Sequence, residues 1–479
     1  MNSRAASLAL PPQPRGRSLA FGGTFVLLAV LAACVAFIPH MAFVAISACY
    51  LGAFLAYMGL RSDPQGGYLF EVIIPLSVLS FFYFGVGTMY LVMVPEALDY
   101  AALAPFLLPA QALLTLGFLC FLVGYGWFFR RTAPSPLGRF VPKNALAYLV
   151  PGAVGTLGFS VGKFQLEGMM GDRGISSSLS FLQQFAPLFF FGWFLAWYMM
   201  WAKRLRASIV VSLLTTMSVM AALVVIFTFG SKVLAVTVLG LPVLAYYEVK
   251  RKLPLKSIAA VALVFVFIIF PMFNTFRQID RNLGMSRRVD QTFNMARTWN
   301  SDKYLDASVF AFLKRMTVVT SVAAIVSDTG RWVDYRYGET LLLGPIGLFI
   351  PRFLWPDKPN ISIGREFGAT FRLKNAMDSE TEISPSMVGE LYWNFSIPGV
   401  VVGMWLLGTG YRWFYQRYGA GAGFDPTRKA VYAALLPTAL LFEGNVAVII
   451  GGVIKALVIL VLFLLVSRRL GWFEDSSAI

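Results

Sequence analysis

Apolar positions along the chain gather in long runs separated by short basic connections. Runs long enough to cross a hydrocarbon core, about 20 residues each, fall near 19–38, 41–60, 70–94, 103–129, 145–162, 179–201, 208–229, 232–248, 257–275, 386–411, 429–444 and 446–466. This pattern predicts about 12 transmembrane helices: an all-α, polytopic membrane bundle. Residues 1–275 carry spans one to nine, 276–385 form one large loop, and 386–479 carry spans ten to twelve and a short tail. "VLAAC", ending at Cys34 behind a basic leader, resembles a lipoprotein processing box, but the run reads as a first span.

Composition agrees with the pattern. The chain is 58% hydrophobic and 13% charged, with a mean hydropathy of +0.69, whereas a soluble protein is about a quarter charged. Cys34, Cys49 and Cys120 all lie in apolar runs, and His40 is the single histidine, so neither a disulfide framework nor a multi-histidine metal centre is indicated. No cofactor is expected. The net charge of +16 does not imply nucleic acid, because Lys and Arg collect in the cytoplasmic loops of membrane proteins. Twenty-one of them fall on one side of the expected topology, among them Arg412, Lys429, Arg468 and Arg469. The short loops opposite hold only Lys163, Arg173 and Lys232. Both termini are therefore expected in the cytoplasm and the large loop outside.

That loop is much longer than an ordinary connection, and loops of such length are functional or disordered. Its aromatics and periodic apolar positions argue against disorder. Leu305, Val309, Phe312, Leu313, Met316 and Val319 recur at helical spacing, predicting an amphipathic helix over 303–326 on the bilayer surface or against the bundle. "TLLLGPIGLFI" is too short to span and reads as a re-entrant or interfacial hairpin. Fifteen Lys and Arg stand in the loop against twelve Asp and Glu. If span nine continues as helix, Arg277, Arg281 and Arg288 share one face. Lys232 sits in a tight turn, "FGSKVLA", where backbone amides could help hold an anion. Salt bridges, lipid phosphates and snorkelling are the structural explanations of the same charges. Lys455, deep in the last span, is expected to face the interior and meet Glu390 or Glu443. Asp378, Glu380 and Glu382 read as a solvated acidic loop.

Two stretches, "YGETLLLGPIGLFIPRFLWPDKP" at 337–359 and "SPSMVGELYWNFSIPG" at 384–399, together with the "GSK" turn and three closing spans, resemble the O-antigen polymerase (Wzy-type) family of oligosaccharide repeat-unit polymerases. The resemblance covers the C-terminal half; the first six spans add only topology. It implies a GT-C-like, metal-independent glycosyltransferase of the bacterial inner membrane. Such an enzyme moves a glycan from one polyprenyl diphosphate carrier to the terminal sugar of another at the periplasmic face, building O-antigen or exopolysaccharide. Implied partners are the polyprenyl-diphosphate-linked oligosaccharide, the bilayer, and flippase and chain-length regulator proteins. Two positions depart from the pattern: Lys232 stands where arginine is common, and Ser396 where glycine is expected.

This chemistry needs cations to stabilise the departing diphosphate and a base for the attacking hydroxyl. Arg352, Lys358, Arg277, Arg281 and Arg365 are the candidate cations, joined by Lys232, with Arg352 foremost. Glu390 is the first candidate base, followed by Asp357 and Glu366. Proline 351, 356 and 359 would hold "RFLW" extended, so that Arg352, Lys358 and Trp355 face one cavity; Trp355 suits a sugar face or the headgroup belt. An O-antigen ligase would share the loop but is expected to carry a loop histidine, which is absent. A lipid-linked oligosaccharide flippase or other transporter would have two similar halves, which this loop makes unequal.

Overall fold

The computed structural model describes residues 71–98, 101–127, 140–163, 180–205, 207–227, 232–252, 254–279, 283, 285–297, 313, 316–341, 363–375, 382–419, 425–441 and 443–475. The expected spans at 19–38 and 41–60 lie outside them. Each of the ten other expected spans is a helix. In chain order these begin with α1 (Ile73–Met93), α2 (Leu107–Trp127), α3 (Leu146–Lys163), α4 (Ala186–Trp201), α5 (Ala207–Phe227) and α6 (Lys232–Lys250). Next, α7 (Leu255–Val264) passes through a π turn, Phe265–Ile269, into α8 (Phe270–Gln278). The loop contributes α9 (Met285–Arg297), α10 (Val319–Asp328) and α11 (Gly364–Thr370), before α12 (Ser386–Phe414), α13 (Pro426–Ala439) and α14 (Val446–Arg469) close the bundle. Five stretches, Ile73–Met93, Ala101–Gly126, Leu255–Phe273, Ser386–Gly419 and Val446–Arg469, are long and apolar enough to cross a membrane.

Apolar helices gain little from the hydrophobic effect inside a bilayer, so close backbone approach must hold them together. Glycines permit it here. A side chain at Gly124 of α2 would collide with the backbone of Trp405, and one at Gly408 of α12 with the backbone of Phe121, so this pair packs reciprocally through small residues. Gly155 of α3 and Gly192 of α4 do the same against Phe189 and Tyr148. Helix α4, apolar on every face, is correspondingly buried on nearly every face and packs against α3, α6 and α13.

One end of the bundle is tied by buried charge. Glu71 accepts from the Arg412 guanidinium and from the Tyr125 hydroxyl, both at 2.7 Å, and Glu248 pairs with Lys429 and with Arg251. Arg412 and Lys429, counted above among the cytoplasmic loop charges, are thus interior ion-pair partners, 6% and 4% exposed. At this same end the strands β1 (Phe140–Pro142) and β2 (Phe473–Asp475) pair antiparallel, Val141 opposite Glu474, joining an early connection to the C-terminal tail.

Two expectations for the loop change. Of the helix forecast over 303–326, residues 303–312, 314 and 315 lie outside the described residues; Leu313 is helical, a turn follows at Met316–Val318, and a helix runs from Val319 to Asp328. It is buried against α2 and α12, which is the second of its two expected positions. Span nine does not carry Arg277, Arg281 and Arg288 on one face, because α8 ends at Gln278 and Ile279 is extended. Arg288, on α9, instead turns back: its Nη2 donates to the Phe276 carbonyl at 2.9 Å and its guanidinium lies 4.1 Å from the Phe276 ring centroid. A cation at a helix C-terminus satisfies its orphan carbonyls.

Candidate functional site

The stretch 384–399 makes a broken helix. Pro398 has no N–H, so the carbonyl of Asn394 cannot be satisfied within α12. The helix duly breaks at Phe395 (φ −140°, ψ 20°) and Ser396 (φ 56°, ψ −152°) and then resumes. The conformation at Ser396 is one that glycine adopts without strain and other residues rarely do, which gives a physical reason for the glycine expected there.

The freed carbonyls are taken by the loop. The amides of Arg336 and Tyr337 donate to the carbonyls of Trp393 (3.1 Å) and Asn394 (3.2 Å). Asn394 completes the junction: its Oδ1 accepts from the Gly338 amide at 2.8 Å, and its Nδ2 donates to Thr340 Oγ1 at 2.7 Å and to the Glu390 carbonyl at 2.8 Å. Irregular backbone in a membrane bundle is tolerated when other parts of the protein satisfy it, and here residues 336–341 supply that service.

Glu390 lies one turn before Asn394 and is fully buried. Its Oε2 accepts from the amide of Val446, the first residue of α14, so the carboxylate caps that helix and meets the positive end of its dipole. Thr340 and the Asn445 side chain lie beside the same carboxylate, while its Oε1 is buried and closes no hydrogen bond. Among the described residues it is the one carboxylate with such an oxygen. Glu390, one of the two partners proposed for Lys455, therefore serves the α14 N-terminus.

The other candidates divide sharply. Arg365, on α11, is exposed and paired through Nε to Glu382 at 3.2 Å; it stands in a surface ion pair, and Glu382 is thereby part of a salt bridge as well as an acidic loop. Glu366 is ion-paired with Arg336. Lys232 opens α6 and Arg277 lies in the last turn of α8, but their side chains, like Arg281, Arg352, Trp355, Asp357 and Lys358 as a whole, lie outside the described residues. Sequence reasoning missed Asn394, Thr340 and Arg336. The signal for Asn394 was present: a polar residue four after Glu390 on one face of an apolar span. Arg336 sits with its guanidinium 5.0 Å from the Trp393 ring centroid and is neutralised by Glu339 at 3.0 Å and by Glu366, so its charge is engaged within the fold. Trp393 is itself enclosed by Phe367 and Phe371.

These features define a helical protein of membrane type, with a structured loop riveted to a broken apolar helix. A family model described as a domain of unknown function (DUF8712) matches residues 153–423, more than half of the chain. The chain belongs to that family. No solved structure matches it.

Proposed function

We propose that the protein polymerises polyprenyl-diphosphate-linked oligosaccharide repeat units at the outer face of the bacterial inner membrane. In this reading it is a GT-C-like bundle of about twelve spans, with both termini in the cytoplasm. The observation that supports the reading most is that the two stretches resembling repeat-unit polymerases, 337–359 and 384–399, are hydrogen-bonded to each other through Asn394, Gly338 and Thr340, with a buried carboxylate, Glu390, at the junction. The exposed aromatic face of Tyr337 at this junction suits the apolar face of a sugar ring.

In the reaction, an acceptor sugar hydroxyl attacks the anomeric carbon of the donor glycan. The new C–O bond replaces the bond to the diphosphate, which leaves with the bonding electrons, and the hydroxyl proton passes to a base. Arg352 is assigned to the leaving diphosphate; losing such a preorganised cation costs on the order of 3 kcal/mol, about a hundredfold in rate. Glu390 is assigned to the base. Its capping bond to Val446 also gives it a structural task, so Glu390→Gln must be read against fold as well as rate.

Deletion of the gene followed by gel analysis of surface polysaccharide tests the reading. Single repeat units on the lipid core support a polymerase. Loss of core attachment with long carrier-linked chains would indicate a ligase instead. Arg352→Ala and Arg352→Lys should both stop chain growth, and normal chain lengths with both variants would remove Arg352 from the site.

A further inference from the structure

The helix pair α7 and α8 stands off from the bundle. Only 12% of the apolar window of Leu255–Phe273 is buried inside the protein, against 28% to 50% for the other four long apolar helices. Between this pair and α4, α5 and α6 lies a cavity of about 810 Å³, lined also by Phe293 of α9. Its lining is overwhelmingly apolar, so water would find few partners there. A dry void of that size would forfeit the dispersion energy of its walls. Hydrocarbon is what a bilayer offers to fill it.

One wall carries more specific information. Trp193, Trp197 and Trp201 rise along α4 with ring centroids 5.7 Å and 5.8 Å apart, and Tyr246 meets Trp201 edge-on at 5.0 Å. The Trp193 indole donates to the Val238 carbonyl at 2.9 Å. The rings of Trp197 and Trp201 line the cavity, while their indole nitrogens are closed off from it. Both belong to the last turns of α4, level with the end of α6 and the start of α7. There Lys203, Lys250, Lys252 and Lys256 are exposed. The nearby acid, Glu248, faces Lys429 and Arg251 and leaves those lysines' charge uncompensated by itself.

We propose that this cavity binds one anionic membrane phospholipid. Its acyl chains lie between α7–α8 and the bundle against the Trp197 and Trp201 rings, and its headgroup phosphate meets the lysines at 203, 250, 252 and 256. The site lies apart from the junction at Glu390 and does not depend on the polymerase reading. It would fix the position of α7 and α8, and through α8 the anchoring of α9 by Arg288.

The test is lipid retention. The full-length protein is purified in neutral detergent, incubated with mixed micelles of phosphatidylglycerol and phosphatidylcholine, and weighed by native mass spectrometry. One phosphatidylglycerol should remain per chain, preferred at least tenfold over phosphatidylcholine. Trp197→Ala with Trp201→Ala removes the aromatic wall and should lower retention about tenfold. Replacing Lys250, Lys252 and Lys256 by Gln should abolish the preference while sparing retention of neutral lipid. Ala222→Phe, which fills the cavity from α5, should abolish retention of both and guards against a tryptophan variant that fails to fold. Absence of retained lipid in the unaltered protein, equal retention of the two lipids, or undiminished retention by both the tryptophan and the Ala222 variants would overturn the proposal. So would displacement of the phosphatidylglycerol by equimolar polyprenyl phosphate, which would make the cavity a carrier site.

Discussion

Asn394→Ala is the sharpest perturbation of the junction between loop and bundle. The substitution deletes an acceptor for the buried Gly338 amide and a donor to Thr340 and the Glu390 carbonyl. Leaving a buried polar group unpaired costs about 1–3 kcal/mol. The Gly338 amide is the group most clearly stranded, and Thr340 loses a neighbour, so a total of about 3 kcal/mol is expected. That corresponds to roughly a hundredfold shift in the local opening equilibrium, at 1.4 kcal/mol per tenfold. Amide hydrogen exchange in detergent micelles reads it directly. Protection at Arg336, Tyr337 and Gly338 should fall by about two orders of magnitude, while protection in α4, far from the junction, stays unchanged. Unchanged exchange at Tyr337 and Gly338 in a well-folded Asn394→Ala protein would refute the reasoning, because these amides are held only through α12.

Three further outcomes follow from the packing. Arg412→Leu strands Glu71 without its cation in the interior and should destabilise the protein by about 3–5 kcal/mol in a detergent denaturation series, with Glu71→Gln recovering much of the loss when combined. Ser396→Gly relieves a positive-φ conformation and should raise stability by about 1 kcal/mol in the same assay. Gly408→Leu drives a side chain into the backbone of Phe121 and should separate α2 from α12; a cysteine pair across that interface would lose its cross-linking yield, whereas an unaltered yield would show that the interface accepts the added side chain without separating.

Much of the architecture was readable because spanning helices announce themselves by length and apolarity, which need no partner to be recognised. Ten expected spans within the described residues are helices with boundaries shifted by a few residues. Side-chain pairing was not readable, since it depends on which helix ends meet. Arg412 and Lys429 look like loop cations in sequence, yet each finds a carboxylate, Glu71 or Glu248, 341 and 181 residues away respectively. Periodicity also overreached. Arg277, Arg281 and Arg288 share a helical face only if nothing stops the helix, and α8 stops at Gln278. Glu390 was visible as a carboxylate in an apolar span, but its capping of α14 depends on Val446, which has no polar side chain to advertise it. At Ser396 the local rule and the fold conflict, and the strain falls where the loop docks.

The most direct test of the account is reconstitution. Purified protein in liposomes, supplied with polyprenyl-diphosphate-linked repeat units and no nucleotide sugar, should yield a ladder of lengthening carrier-linked glycans and one free polyprenyl diphosphate per bond formed. Arg352→Ala should leave single units. Repeat units that persist unjoined with the folded, unaltered protein, or that cross the bilayer without being joined, would contradict it.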